Sequence, residues 1–283
     1  MSRVAIVIDS ASDMPPDVAA KQGITIVPLE VSFGAERFQA LLELTTDEFW
    51  TRLLALPPDA PFPTTAAASP GEFKAAFEAA FGRGADGIVC ICISADLSGT
   101  YKSAVIAAGM LEGREIHVVD SRTASMGFGM LAQVAAELAE QGVSAQEIAR
   151  VIEERKADVD LYVTLDTLEY LRRGGRIGGA SAAVGNFLSI KPIITVVDGL
   201  VKKVDQVRTR GKARERTLEL LTQRPIERAT ILHTTQADVE EFREQFRQRS
   251  GLDSSRIQTV TVGPSVGPHL GPGGVGATIL LKR

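Results

Sequence analysis

Small hydroxyl and carboxyl side chains gather in this sequence where predicted strands end or helices begin. They are Asp9, Ser10 and Ser12; Thr64 and Thr65; Ser94, Asp96, Ser98 and Thr100; and Asp120, Ser121 and Ser125. In an open parallel sheet, ligands bind beyond the carboxyl ends of the strands. Hydroxyl groups and the N–H groups of helix starts suit a fixed anion, such as a carboxylate or a phosphate. Each serine alone is more simply a helix cap, but their gathering at one sheet edge favours an anion site.

Groups that could supply positive charge or a proton are few. The main basic cluster, Arg172–Arg176, interleaves arginines with glycines. The planar guanidinium suits carboxylate or phosphate, and glycine allows close backbone approach. His269 lies between two Gly-Pro turns, which would fix it as a proton donor or an anion-binding group. His233 ends a predicted strand and is the second candidate among the histidines. For both Arg172–Arg176 and His269, a solvated surface loop is the plainer interpretation.

Several other chemistries have no convincing support in the sequence. Cys90 and Cys92 lie in an apolar run and are interpreted as small buried residues, because no second Cys or His pair completes a zinc site. There is no Walker A loop, and the glycine-rich Gly271–Gly276 is interrupted by a proline and followed by a strand. The net charge of -4 argues against a nucleic-acid-binding protein. We therefore expect no metal, no cofactor and no catalytic nucleophile with its base.

The apolar patterns predict a parallel α/β sheet, since strands alternate with helices along the chain. We expect Asp13 to cap a short helix at Pro15 and Pro16, and Ser98 to cap a helix at Gly99–Leu111. After about Asp158 the alternation resumes with different neighbours, which predicts two α/β domains, 1–158 and 159–283. The predicted strands are Arg3–Ile8, Ile24–Val31, Gly87–Ser94, Glu115–Val119, Leu161–Thr164, Ile193–Val197, Leu200–Val207, Ala229–His233, Ile257–Val262 and Ala277–Leu281.

Secretion and membrane signals are also missing from the sequence. Met1–Ser10 resembles a strand running into a polar turn rather than a signal peptide. The long uncharged segment Gly263–Leu281 is interrupted by Pro264, Pro268 and Pro272. A membrane helix would not be interrupted in this way, so the segment is interpreted as a loop followed by a strand. We expect a cytoplasmic protein.

Short stretches spread over nearly the whole chain occur in the order typical of one known family. They are Ile8–Pro15; Pro63–Thr65 with Ser69–Phe73; Ile93–Tyr101; Val119–Ser121; Leu168–Ile177; Ile190–Ile193; and His269–Gly273. Each stretch is weak alone, but their order is specific, and the sequence resembles the DegV family. The resemblance implies a two-domain α/β fold. Its N-terminal part would be a mostly parallel sheet with helices on both faces, followed by a C-terminal α/β domain, with the ligand between them.

For function, the resemblance implies a lipid-binding protein that holds one long-chain fatty acid in a buried tunnel between its domains. Related proteins serve as the fatty-acid-binding subunit of a bacterial fatty acid kinase. A separate ATP-binding subunit phosphorylates the bound carboxylate to an acyl phosphate, which feeds phospholipid synthesis. The expected partners are therefore the fatty acid and the kinase, with at most transient membrane contact. The chain itself would be a non-catalytic carrier.

The resemblance also implies roles for individual residues. Thr65 and a serine of the segment Ser94–Ser98 would hold the carboxylate. Thr64 and His269 would lie beside it. Arg176 would face the site of phosphoryl transfer or the kinase.

Three details of the expected site stay open. Ser98 fits a hydroxyl at a helix start, whereas Ser94 ends a strand, so either could be the serine concerned. Family members commonly have polar residues after the threonine, whereas this chain has Ala66–Ala68, which removes two polar groups near the head group. The uncharged stretches Ala124–Ala136 and Ser181–Ile190 could line the acyl tunnel, although ordinary core packing is the simpler explanation.

Two other functions are not excluded by the sequence. A phosphotransferase or hydrolase acting on a small anion would need a nucleophile with a base. The best candidate for it is His269 with Asp9 or Asp120. The other function is that of a regulatory or interaction protein in which the lipid has only a structural role. Such a protein would still bind its partner after the lipid is lost.

Overall fold

The computed structural model of the protein describes residues 3–57, 60–178, 190–235 and 238–283. Within these ranges no helix is both long and apolar enough to cross a membrane. The strands are β1 (Val4–Asp9), β2 (Ile24–Val27), β3 (Glu30–Phe33), β4 (Glu36–Gln39), β5 (Thr64–Ala66), β6 (Gly87–Cys92), β7 (Glu115–Asp120), β8 (Val159–Thr164), β9 (Lys191–Val197), β10 (Leu200–Val207), β11 (Ile226–His233), β12 (Ile257–Thr261) and β13 (Val275–Leu281). The helices are α1 (Pro16–Lys21), α2 (Thr46–Leu54), α3 (Pro70–Gly82), α4 (Thr100–Gly109), α5 (Met126–Glu140), α6 (Ala145–Arg155), α7 (Glu169–Arg173), α8 (Arg210–Leu221), α9 (Val239–Ser250) and α10 (Gly267–Leu270).

The first sheet is parallel throughout, in the order β2-β1-β6-β7. Every residue of its central strand β6 is buried, because helices α3 to α6 pack over the sheet. A strand that is covered on both faces has a continuous apolar run, and this pattern predicted β6. The predicted fold of the N-terminal part is therefore confirmed: a parallel sheet with helices on both faces.

The second sheet has the order β10-β9-β8-β13-β11-β12 and is mostly antiparallel. Only β11 and β12 pair in parallel. The expectation of parallel strands is therefore wrong for most of this sheet. β9 and β10 are joined by the two-residue turn Asp198–Gly199, with φ angles of 54° and 78°. Such a tight hairpin turn can join only antiparallel strands, since a parallel connection needs a much longer crossover.

A third, small sheet, β4-β3-β5, is antiparallel and was not predicted. The predicted strand Ile24–Val31 is in fact two strands in different sheets, since β2 belongs to the first sheet and β3 to the third. Pro28 lies between them, and proline has no N–H to donate to a strand ladder. In this third sheet Thr65 of β5 lies opposite Val31 of β3. The small sheet thereby fixes a threonine that the sequence places at the candidate site.

Helix α5 lies between the two large sheets. It packs on β1 and β6 of the first sheet and on β8 and β13 of the second. Its residues from Met126 to Ala136 are almost all buried. One hydrophobic cluster therefore extends from the first sheet to residues of the second, such as Leu161 and Leu232. The chain enters the second sheet at Val159, and the domain boundary between residues 158 and 159 stays a prediction.

Candidate functional site

A cavity lies between the first and second sheets. Ala11 and Ile93, which follow β1 and β6, contribute to its wall, so the cavity is at the carboxyl ends of the parallel strands. Strands β8 to β11 close the other side. Mainly apolar walls with a few convergent polar groups are typical of small-molecule sites. The apolar lining residues are Ala11, Leu29, Ile93, Leu97, Ala124, Leu161, Val163, Leu171, Ile194, Val196, Val201, Leu232, Val266 and Leu270.

A few polar side chains complete the lining of this cavity. Four of them are predicted site residues, and each comes from a different segment. Thr65 lies on β5, Ser98 precedes α4, Arg176 follows α7 and His269 lies in α10. Thr65 Oγ1 is 2.9 Å from His269 Nε2. The fold therefore brings together residues that are far apart in the sequence, which is the arrangement that a specific polar contact with a ligand requires. The other two polar lining residues are Ser125 and Ser265.

His269 is held in the cavity wall without freedom to turn. Its imidazole packs against Gly174, where an added Cβ would lie 2.1 Å from Nδ1. This Nδ1 is buried and has no hydrogen-bond partner among the described residues. Burial, and secondarily the positive charge of Arg176, lower the pKa of His269 to about 4. The imidazole is therefore neutral at neutral pH, and Arg176 supplies the positive charge among the described lining residues.

Arg176 is fixed by its own backbone surroundings. Its Nη1 donates a hydrogen bond to the carbonyl oxygen of Gly174 at 2.6 Å, and its Nε donates to that of Leu97 at 3.2 Å. The other arginines of the cluster, Arg172 and Arg173, instead form ion pairs with Glu169 on the surface. The predicted basic cluster is therefore divided, and Arg176 is its member in the cavity wall.

The remaining predicted site residues lie in different surroundings. Ser94 is buried, and its Oγ donates a hydrogen bond to the carbonyl oxygen of Gly199 at 2.8 Å, so this hydroxyl ties the end of β6 to the β9–β10 turn. Ser98 lines the cavity, and its Oγ also accepts the N–H of Thr100 at the start of α4. Thr64 is exposed on β5 and is not among the lining residues. The geometry thus favours Ser98 over Ser94, and the role of either in binding stays a prediction.

The stretches considered for the acyl tunnel contribute little to this cavity. From Ala124–Ala136, only Ala124 and Ser125 line it, and the rest packs in the core. Residues 181–189 of the second stretch, Ser181–Ile190, lie outside the described residues. Ala66–Ala68 are not among the lining residues either. Six of the fourteen apolar lining residues are β-branched or leucine residues on strands of the second sheet, which periodicity alone assigns to a core.

In the described part of the chain, neither His269 nor His233 pairs with a carboxyl group as an enzyme acting on small anions would require. Both oxygens of Asp9 accept backbone N–H groups, and Asp120 Oδ1 accepts two more. His269 instead contacts Thr65. His233 contacts Thr261, and the alternation of β11 directs it away from the cavity that Leu232 lines. The described residues therefore give His269 no carboxylate to orient it as a general base.

Asp13 has a role that sequence reasoning missed. The first residues of α1 show no side-chain cap, and its N-cap position is Pro15, so the prediction that Asp13 caps this helix is wrong. The Asp13 carboxyl instead accepts the N–H of Gly263 at 2.8 Å and the hydroxyl of Ser125 at 2.5 Å. No local pattern reveals these bonds, because their partners are far away in the chain.

Comparison with known proteins agrees with the fold and with the seven stretches. The family model described as "Uncharacterised protein, DegV family" matches residues 3–282. A DegV domain-containing protein of Caldanaerobacter subterraneus is 34% identical over 98% of both chains. A solved structure described as fatty acid binding of a DegV family protein, from Thermus thermophilus, is 34% identical with a TM-score of 0.90, covering 99% of this chain and 100% of its own. A solved stearic-acid-binding protein from Eubacterium ventriosum is 26% identical with a TM-score of 0.89, covering 100% of this chain and 99% of its own. The resemblance is thereby confirmed, and this chain belongs to the DegV family.

Proposed function

We propose that this protein binds one long-chain fatty acid in the cavity, with the tail along the apolar walls and the carboxylate at the polar residues. The observation that carries the proposal is the convergence of Thr65, Arg176 and His269, together with Ser98, on an otherwise apolar cavity. The Thermus thermophilus relative is described as fatty acid binding, and the Eubacterium ventriosum relative as stearic acid binding. Both cover essentially this whole chain, which supports the same ligand class here.

The apolar walls account for affinity. Each methylene group that leaves water for an apolar environment contributes about 0.8 kcal/mol. A long acyl chain in this cavity therefore binds tightly enough to remain with the protein through purification. The head group adds specificity, since a buried carboxylate without donors would be strongly disfavoured.

A directed chain of hydrogen bonds can serve the carboxylate. If the Thr65 hydroxyl donates a hydrogen bond to the ligand, its Oγ1 can accept a hydrogen bond from the N–H at His269 Nε2. This requires the neutral tautomer with a proton on Nε2 and none on Nδ1. The buried Nδ1 without a partner fits that tautomer, because an unpaired N–H there would be the costlier arrangement. His269 is then a group that orients Thr65.

Arg176 gives the site its positive charge. A bound carboxylate beside Arg176 would be stabilised by the guanidinium, and the negative charge of that carboxylate would oppose the lowering of the His269 pKa. The positive charge of Arg176 would also offset the negative charge of an incoming phosphate. We therefore assign Arg176 to the side of the head group at which phosphoryl transfer would occur.

We extend the proposal to the chain's role as a carrier. A separate ATP-binding kinase subunit would phosphorylate the presented carboxylate to an acyl phosphate for phospholipid synthesis. The chain would have no turnover of its own, which fits the lack of a His–Asp pair at the cavity in the described part of the chain. Because the kinase uses ATP, we place the protein in the cytoplasm, with at most transient membrane contact.

Replacing Thr65 with valine tests the head-group assignment. Valine keeps the shape and removes the hydroxyl, so the affinity of the lipid-free protein for stearate is expected to fall by about 10- to 100-fold, the loss of one hydrogen bond to a charged group. Thr51→Val, at an exposed position of α2, is the matched control and should bind as the wild type does. Isothermal titration calorimetry measures both. Equal affinity of Thr65→Val and wild type would exclude Thr65 from the head-group site.

A further inference from the structure

Asp9 and Asp13 are buried carboxyl groups that hydrogen-bond to residues of the cavity wall and that the proposed binding site does not use. Asp9 accepts the N–H groups of Ala11 at 2.9 Å and Ile93 at 2.8 Å. Asp13 accepts the N–H of Gly263 and the hydroxyl of Ser125. Three of these four partners, Ala11, Ile93 and Ser125, line the cavity. The two carboxyls therefore hold together the segments from which the wall is built.

The bonds of Asp13 connect two parts of the wall. One is Ser125, directly before α5, and the other is the segment Gly263–Leu270, which carries His269 and three further lining residues. Asp13 and Ser125 have φ angles of 55° and 54°. Residues with a side chain rarely adopt this conformation, and it persists where surrounding contacts hold it. The carboxyl of Asp13 is the contact that the two strained residues share.

We propose that Asp13 is a positioning residue for the head-group site. Its carboxyl connects Ser125 to Gly263 through two hydrogen bonds and so holds the segment with His269 at the cavity wall. This connection weakens when both Asp9 and Asp13 are ionised. The inference rests on the proposed function, because it concerns how the same site is kept in shape.

The surroundings of the pair explain why ionisation matters. Among the described residues, neither carboxyl has a positively charged partner. Ser125 and Gly263 are uncharged, and so are Leu41 and Thr46, which lie beside Gly263. The charge of Asp9 acts on Asp13, and the buried thiol of Cys92, whose pKa is itself raised, lies near Asp9. Burial disfavours the charged form of Asp13, the hydrogen bonds from Ser125 and Gly263 offset this cost only in part, and the charge of Asp9 adds to it.

Burial raises the pKa of Asp9 and of Asp13 to about 7. Below that pH, a protonated Asp13 keeps both of its bonds, since its O–H can donate to Ser125 Oγ while the other oxygen still accepts from Gly263. Above it, both carboxyls are charged, and a bound fatty acid carboxylate would add further negative charge nearby. Affinity for the ligand is therefore highest below about pH 7 and falls as the pH rises through it.

The test compares stearate binding by lipid-free wild type, Asp13→Asn and Asp17→Asn between about pH 6 and pH 8.5. Asparagine retains both bonds of Asp13 but does not titrate, whereas Asp17 is exposed and pairs with Lys21. We expect the wild-type affinity to fall about tenfold more than that of Asp13→Asn over this range, the effect of one pKa unit, with Asp17→Asn following the wild type. Ratios of the Kd values at each pH cancel the titration of stearate itself. If the Kd values of wild type and Asp13→Asn for stearate changed with pH to the same extent, the proposal would be overturned.

A second measurement needs no variant and no ligand. Hydrogen exchange of the Gly263 amide in the wild type, corrected for the intrinsic rate, should show protection that falls as the pH rises from about 6 to about 8.5. Protection that stays constant with pH would contradict the proposed weakening of the connection through Asp13, even if Asp13→Asn failed to fold. Wild-type protein that binds no stearate at any pH would instead contradict the proposed function. The two failures are therefore distinguishable.

Discussion

Gly174→Ala is expected to lower the affinity of the protein for stearate by about 100-fold, because it disturbs two groups of the proposed head-group site, His269 and Arg176. The added Cβ would lie 2.1 Å from His269 Nδ1, so the imidazole must leave its present position, in which Nε2 is 2.9 Å from Thr65 Oγ1. The carbonyl of Gly174 also accepts from Arg176 Nη1, and any backbone shift that relieves the collision would displace this guanidinium. One methyl group thereby removes the positioning of both residues.

Gly175→Ala is the matched control for this prediction. Gly175 has a φ of 68°, but a Cβ there would meet no atom within 4 Å. The Gly175→Ala variant therefore has only the strain of an alanine in the left-handed conformation, about 1–2 kcal/mol, without a collision at the site. Stearate titrations of both variants, each checked for folding by circular dichroism, separate the two effects. If Gly174→Ala bound stearate as tightly as Gly175→Ala, the position of His269 would not matter for binding.

Asp9→Asn is expected to destabilise the protein by about 1–3 kcal/mol, through one unsatisfied buried donor. Both carboxyl oxygens of Asp9 accept backbone N–H groups, from Ala11 and Ile93. The amide nitrogen of asparagine cannot accept, so one N–H would face another donor in the core. A protonated carboxyl avoids this conflict, because its hydroxyl oxygen still accepts. Asp13→Asn should be much milder, since asparagine can donate to Ser125 Oγ.

Urea unfolding of the variants at several pH values measures this difference. Folding raises the pKa of Asp9 and Asp13 from 3.8 to about 7, so the native protein holds protons that the unfolded chain has released. Their contribution to stability is therefore fully present below about pH 3.8 and is lost as the pH rises through about 7. Asp13→Asn should gain stability relative to wild type over that interval. An Asp9→Asn protein as stable as Asp13→Asn at all pH values would show that the two bonds of Asp9 are unimportant.

The elements that depend on local pattern were predictable from the sequence. The apolar run of β6 predicted a doubly covered strand, and the capping boxes at Thr45 and Ser69 are local sequence signals for the starts of α2 and α3. The third sheet was missed because its strands are only a few residues long and one of them, β5, is polar. The antiparallel second sheet was missed because alternation of strands and helices does not reveal which strands pair.

The site was predictable only in part, for the same physical reason. Thr65, Ser98, Arg176 and His269 could be named from short stretches, but their meeting in one cavity depends on contacts across the whole chain. The partner of Ser94 is 105 residues away, and Gly263 is 250 residues from Asp13. The neutral state of His269 was also hidden, since burial lowers its pKa and burial is a property of the folded protein.

The most direct test of the central claim is mass spectrometry of the organic extract of purified recombinant protein, quantified against the protein itself. The account predicts about one long-chain fatty acid for each chain, with much less retained by Thr65→Val. An extract without fatty acid, from wild-type protein that also fails to bind added stearate, would contradict it.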